Sequence, residues 1–130
     1  MSSIFTKIIN RVLPAHIVAE DNEHIAFLDI NPIAYGHLLV VPKSEVDYIF
    51  DIEDPQYIKL FSFAKKVSLA MKKAIPCKRI SISVIGTEVP HAHIHLIPTN
   101  SISDVNFEKE KLSLTHDNMV EITEKIKKFI

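Results

Sequence analysis

Cysteine is almost absent: Cys77 stands alone in 130 residues. No disulfide can close within the chain, and no Cys-x-x-Cys pair is available for zinc or redox chemistry. Long apolar runs are missing too. Stretches such as 25–28 and 38–41 fall far short of the roughly 20 residues that span a bilayer, and the opening MSSIFTKIIN is interrupted by Lys7 and Asn10. Nor does charge of one sign accumulate, since 15 Lys+Arg face 16 Asp+Glu for a net charge of −1. Long nucleic acids are gripped by clustered positive charge, so no nucleic-acid partner is expected, and no membrane partner either. No repeat or low-complexity segment breaks the chain. The expectation is a cytoplasmic protein of one globular domain, 1–130, with 47% apolar content to fill a single core.

Local patterns then order the elements. Ser3 can cap a short helix in which Ile4, Ile8 and Val12 recur at helical spacing until Pro14 closes it. Residues 17–20, 25–30 and 37–41 read as strands parted by Asp21-Asn22 and by the turn residues from Asn31-Pro32 to Gly36. Asp54-Pro55 starts the longest helix, and Tyr57, Phe61, Ala64, Val67, Met71 and Ala74 mark its apolar face until Pro76. Leu60, Phe63 and Met71 leave a second apolar stripe. Residues 79–85 and 91–97 alternate as strands around the turn 86–90. A final helix places Met119, Ile122, Ile126 and Phe129 on one face. Helix, strands, helix, strands spells an α+β fold with an antiparallel sheet.

The chemistry concentrates in His91-Ala92-His93-Ile94-His95-Leu96-Ile97. A strand's period of two sends the three imidazoles to one face and Ala92, Ile94 and Leu96 to the core. Three rings in register are a poor use of core positions, which take Val or Ile, so an open ligand-binding face is expected. A neutral imidazole suits covalent transfer: one nitrogen offers a lone pair while the other holds its hydrogen on an acceptor. Two other readings stand beside this one. Three histidines can simply line a solvated face, or alternating His-x-His with a third ligand can hold zinc.

The segment HAHIHLI, within VPHAHIHLIP, resembles the motif of the histidine triad (HIT) family. Upstream, SIFTKIINRVLPAHIVAEDNEHIAFLDINPIAYGHLLVVPK is similar to the N-terminal half of that family's Hint branch, so the likeness covers a core of about 1–98 and leaves a variable tail, 99–130. The resemblance implies the HIT fold: a five-stranded antiparallel sheet with two main helices and a C-terminal helix, the sheet extended across a homodimer. It implies a purine mononucleotide substrate, with no cofactor and no metal ion. His93 would be the nucleophile that attacks the α-phosphate, and His95 would hydrogen-bond that phosphate. His91 and His37 would support and orient the nucleophile. Asp29 would bind the ribose hydroxyls, and Phe5, Ile8, Phe27 and Ile30 would sandwich the base.

The sequence also departs from the pattern. Thr87 stands where the family usually has Gln, Glu88 where the Hint branch has a serine on the leaving-group side, and the usual Asn before the triad has no clear counterpart. A carboxylate at 88 could protonate a leaving amine if its pKa is raised, or could simply repel an anionic leaving group. The activity implied is a hydrolase acting on purine nucleoside phosphoramidates or adenylates through a nucleotidyl-histidine. Alternatives are a dinucleoside polyphosphate hydrolase, or a nucleotide-binding regulator whose hydrolysis is incidental.

Overall fold

A computed structural model describes residues 2–130. Ser3 caps α1 (Ile4–Ile9), its hydroxyl oxygen accepting from the Thr6 amide at 3.0 Å. The helix is shorter than its periodicity suggests. Arg11 takes a positive φ of 61° and the Val12 amide donates back to Lys7 O, which ends the helix before Val12 can join its face. Phe5 and Ile8 are therefore the buried pair, while Val12 lies exposed.

Strands β1 (Ile17–Glu20), β2 (His24–Leu28), β3 (Leu38–Pro42), β4 (Arg79–Ser83) and β5 (Ile94–Thr99) form one antiparallel sheet in the order β1-β2-β3-β5-β4. The register fixes the two faces. Phe27 pairs with Leu39 and Leu39 with His95, so these three form one row across the sheet. The next residues along, Leu28, Leu38 and Leu96, form a row on the opposite face. That opposite face, with Val18, Ala26, Val40, Ile94 and Ala92, packs against α2 (Asp54–Ala74) and α3 (His116–Lys127) as the main core. The other face carries a smaller cluster of Phe5, Ile8, Ile25, Phe27, Leu39 and Val41 beneath α1.

Helix α2 runs as expected from the Asp54-Pro55 start, but it is rotated from the expected face. Leu60, Phe63, Ala64, Val67, Ala70 and Met71 are buried against the sheet, whereas Tyr57 and Phe61 are only half-buried. Apolar residues occupy both sides of this helix, so its periodicity alone does not choose between them. The tail is part of the same core: Met119, Ile122 and Ile126 of α3 are buried, and Phe129, beyond the helix end, is exposed. Strand β4 ends at Ser83 rather than continuing to 85, and its outer edge is unpaired among the described residues.

Gly36 controls the entry to β3. It holds a φ of +90°, a region that side-chain-bearing residues avoid, and a Cβ there would run into Ile75 Cδ1. Gly36→Ala should destabilise the fold by about 1–3 kcal/mol, read as a lowered denaturation midpoint. An unchanged midpoint would mean that this turn is not under the constraint described.

Candidate active site

Three of the histidines expected at the site straddle the start of β5. His95 is on the strand, while His91 and His93 lie in the approach to it, held by His91 N–H to Val89 O at 2.8 Å and Ala92 N–H to Val46 O at 2.7 Å. The alternation survives this irregular start. Ala92, Ile94 and Leu96 enter the main core, and the three rings lie on the α1 side. The face is not open as expected. His91, His93 and His95 are 0%, 7% and 8% exposed, because Phe5 of α1 packs on the first two rings and Phe107 of the tail packs on the third.

Buried imidazoles must have their hydrogens accounted for, and here the partners fix every tautomer. The Ile33 amide donates to His37 Nδ1 at 3.1 Å. The neutral His37 ring therefore carries its hydrogen on Nε2, which donates to His95 Nδ1 at 2.9 Å. That leaves the His95 hydrogen on Nε2, which has no protein partner among the described residues. His93 Nδ1–H donates to His91 O at 2.8 Å, so its Nε2 is a bare lone pair. His91 Nε2–H donates to Pro42 O at 2.7 Å, and its Nδ1 accepts from the Ser3 hydroxyl at 2.7 Å. The result is one free lone pair beside one free N–H, with ring centroids 5.0 Å apart.

Burial disfavours the charged form of His37, His95 and His91. It pushes His37 down to about 3, helped by the neighbouring His95, and His95 down to about 4, helped by His93. His91 is lowered by burial as well. Asp29 lies at the end of β2, half-buried, with Oδ1 accepting the Asn31 amide at 2.9 Å and Oδ2 3.6 Å from His37 Nε2. It is a turn-side carboxylate and a group that faces the site at once. Burial raises its pKa, while the Asn31 amide, His93 and Lys111 oppose that.

The remaining expected residues fall in different places. Phe5, Ile8 and Phe27 pack on one another, with Phe5 and Phe27 edge to face at 5.6 Å. Ile30 is 68% exposed, outside that cluster. Thr87 and Glu88 are exposed in the loop before the triad. Several residues at the site carry no sequence signal of their own. Ser3 reads as a helix cap, yet its hydroxyl also holds His91. Glu45 Oε1 accepts from the Ser3 amide at 2.7 Å and the Thr6 hydroxyl at 2.6 Å, tying α1 to the loop after β3. These bonds hold the Glu45 carboxyl down at about 2.

The donor atoms that converge within 4.8 Å are those of Asp29, His37 and His95, not those of the three triad rings. They do not suit a metal ion. His37 Nδ1 is taken by an amide, so its Nε2 bears a hydrogen rather than the lone pair a metal needs.

A site of this geometry, on an antiparallel sheet that orients the rings through backbone partners, is of the histidine-triad class. The sequence model of the HIT domain matches residues 10–102, and the chain belongs to the HIT family. An uncharacterised HIT-like protein of Borreliella burgdorferi is 34% identical over 131 residues, 95% of this chain and 94% of its own length. The adenosine 5'-monophosphoramidase of Saccharomyces cerevisiae is 36% identical over 96 residues, 73% of this chain and 61% of the yeast protein. Among solved structures, a Hit-like protein of Bartonella henselae superposes with a TM-score of 0.86 at 28% identity, over 99% of this chain and 96% of that one. The fold is the HIT fold. No helix among the described residues is long and apolar enough to cross a membrane.

The depressed histidines link stability to pH. Their folded pKa values lie below the ordinary 6.5, so the folded state disfavours the proton. Their stabilisation is complete above about pH 6.5 and is lost as the pH falls towards 4 and then 3, by up to about 1.4 kcal/mol per pH unit for each ring. Thermal unfolding between pH 7.5 and 5 should show Tm falling below about 6.5. A flat profile across that window would contradict the neutral, buried relay.

Proposed function

We propose that this protein hydrolyses purine nucleoside phosphoramidates or related adenylates at the α-phosphate through a nucleotidyl-histidine on His93. The observation that carries this reading is the fixed His93 tautomer: Nδ1–H is held by His91 O, and Nε2 is left as a lone pair. In the first step that lone pair attacks phosphorus, a P–N bond forms, and the bond to the leaving amine or acyl oxygen breaks. His95 Nε2–H donates to a non-bridging phosphate oxygen as charge grows on it. In the second step water attacks phosphorus, the P–N bond to His93 breaks, and the nucleoside monophosphate is released. Asp29 accepts from the ribose hydroxyls, and Phe5, Ile8, Phe27 and Ile30 border the base. The leaving amine takes up a proton from solvent as it departs, the attacking water returns one in the second step, and Glu88, exposed in the loop before the triad, borders the leaving-group side. The likeness to the yeast adenosine 5'-monophosphoramidase supports the choice of substrate class.

Adenosine 5'-phosphoramidate turnover, compared with diadenosine polyphosphate turnover and with AMP binding alone, tests the reading. His93→Ala should abolish phosphoramidate hydrolysis, and His95→Ala should lower it about 10²–10³-fold, both in the presence of EDTA. Near-normal turnover by His93→Ala, or loss on chelation with rescue by zinc, would overturn it. Faster cleavage of the dinucleotide would shift the activity to that class, and AMP binding without turnover would leave a nucleotide-binding regulator.

We also propose a homodimer joined through the N-terminal half of α2 and the edge of β4. The expected stripe of Leu60, Phe63 and Met71 is unavailable, being buried in the protomer's own core. Tyr57, Phe61, Phe50, Ile82, Val84 and Ile85 instead form a half-buried to exposed apolar surface around that edge. A strand edge flanked by apolar side chains favours pairing with a second copy. A shallow hollow of about 280 Å³ in this surface ends at Ala92 and His93, so the interface would lie beside the site. Light scattering should give twice 14.8 kDa, and Ile82→Asp should return the single-chain mass. A wild-type mass of one chain would sink the dimer.

A further inference from the structure

The family match ends at residue 102, yet the tail beyond it reaches the relay. Residues 105–112 cross the site as an irregular strap between a 3-10 turn (Ile102–Asp104) and α3. Three contacts hold the strap in place. The Leu112 amide donates to Pro32 O at 2.8 Å, in the turn between Asp29 and His37. The Lys111 ammonium bonds to Phe107 O, folding the strap on itself. Phe107, half-buried, sets its ring edge to face on His95 with centroids 4.8 Å apart and an interplanar angle of 70°. The same ring lies 6.1 Å from His37 at 77°. A single apolar side chain therefore covers both partners of the bond between His37 Nε2–H and His95 Nδ1.

We propose that Phe107 is a positioning residue for the reaction: it excludes water from the His37–His95 hydrogen bond and so holds His95 in the one tautomer that presents Nε2–H to substrate. The proposal rests on the phosphate-binding role given to His95 above. Its physical basis is competition. Water admitted at this edge could donate to His95 Nδ1 in place of His37, freeing the ring to turn or to exchange tautomers, and hydration would also favour the protonated ring. A protonated His95 carries hydrogens on both nitrogens, and its Nδ1–H would then point at His37 Nε2–H, which breaks the bond. The titratable groups that face His95 are His37 before β3, His93 on its own segment and Asp29 at the end of β2, while Lys111 on the strap acts on His37 and Asp29. His93 opposes protonation of His95, and a nearby carboxylate such as Asp29 favours it. Burial is the largest cause of the low pKa of His95, and Phe107 is part of that burial.

Phe107→Ala is the variant to make, with Phe107→Leu as the conservative control that keeps an apolar cover. In Phe107→Ala the acid limb of kcat should move up by about one pH unit, from about 4 to about 5, with kcat at pH 5 down about twofold, kcat at pH 7 little changed, and KM for adenosine 5'-phosphoramidate within about twofold. Phe107→Leu should restore most of both. Histidine ring ¹⁵N spectra give a readout that needs no turnover. Wild-type His95 should show one neutral tautomer, protonated at Nε2, from pH 7.5 to 5, and Phe107→Ala should show tautomer averaging or protonation in that range. An unmoved acid limb with an unchanged His95 spectrum would overturn the proposal, as would an effect confined to KM. Wild-type His95 already averaging tautomers would overturn it even if the alanine variant did not fold. Failure of the phosphoryl-transfer reading appears separately, as activity retained by His93→Ala.

Discussion

The Ile33 amide that donates to His37 Nδ1 is the constraint on which the rest of the site depends. One backbone hydrogen, fixed by the turn between β2 and β3, places the His37 proton on Nε2, and that proton places the next one on His95 Nε2. A side chain in the Ile33 position matters little to this; the N–H does the orienting. The same logic recurs on the neighbouring rings, where His91 O and Pro42 O are the acceptors. Backbone partners cannot rotate or titrate, so they specify a tautomer more rigidly than a carboxylate would. The four rings are buried together, and each makes its bonds to a group that does not change charge or to another ring.

The sheet supplies what the hydrogen bonds alone cannot, namely a common face. The row Phe27, Leu39, His95 is set by pairing register, and a slip of one residue would send His95 into the main core and Leu96 to the ligand side. The large apolar residues on the opposite face make such a slip costly: Leu28, Leu38, Ile94 and Leu96 are each 2% exposed or less. Stability on the α2 and α3 side thus enforces chemistry on the α1 side. Helix α1 then closes the site through Ser3 and Phe5, and Glu45 ties its first turn to the loop that follows β3.

What was legible in the sequence was local or periodic. The triad could be read because a period of two places His91, His93 and His95 together whether or not the strand is fully formed. The strand itself begins only at Ile94, since Ala92 gives its amide to Val46 O rather than to a neighbouring strand, and no residue pattern announces that bond. The start of α2 was legible from Asp54-Pro55, but its buried side was not, because Tyr57 and Phe61 compete with Leu60 and Phe63 on equal apolar terms. Ser3 was legible as a cap and illegible as a partner of His91, a residue 88 positions away. Long-range pairing of that kind leaves no trace in spacing.

The tail shows why a family likeness and a complete site need not end at the same residue. The family match ends at 102, and the first 98 residues hold every histidine of the relay. Yet α3 contributes Met119, Ile122 and Ile126 to the main core, so the chain between β5 and α3 must return across the sheet end where His37 and His95 lie. Once α3 is docked, the connecting strap has little freedom to avoid the site, and an apolar residue at 107 is better placed against the rings than in water. Residues 105–112 have neither helical nor alternating periodicity, which is why their sequence says nothing of this. Their position follows from where α3 is buried, and their chemistry from which side chain that path lays on His95.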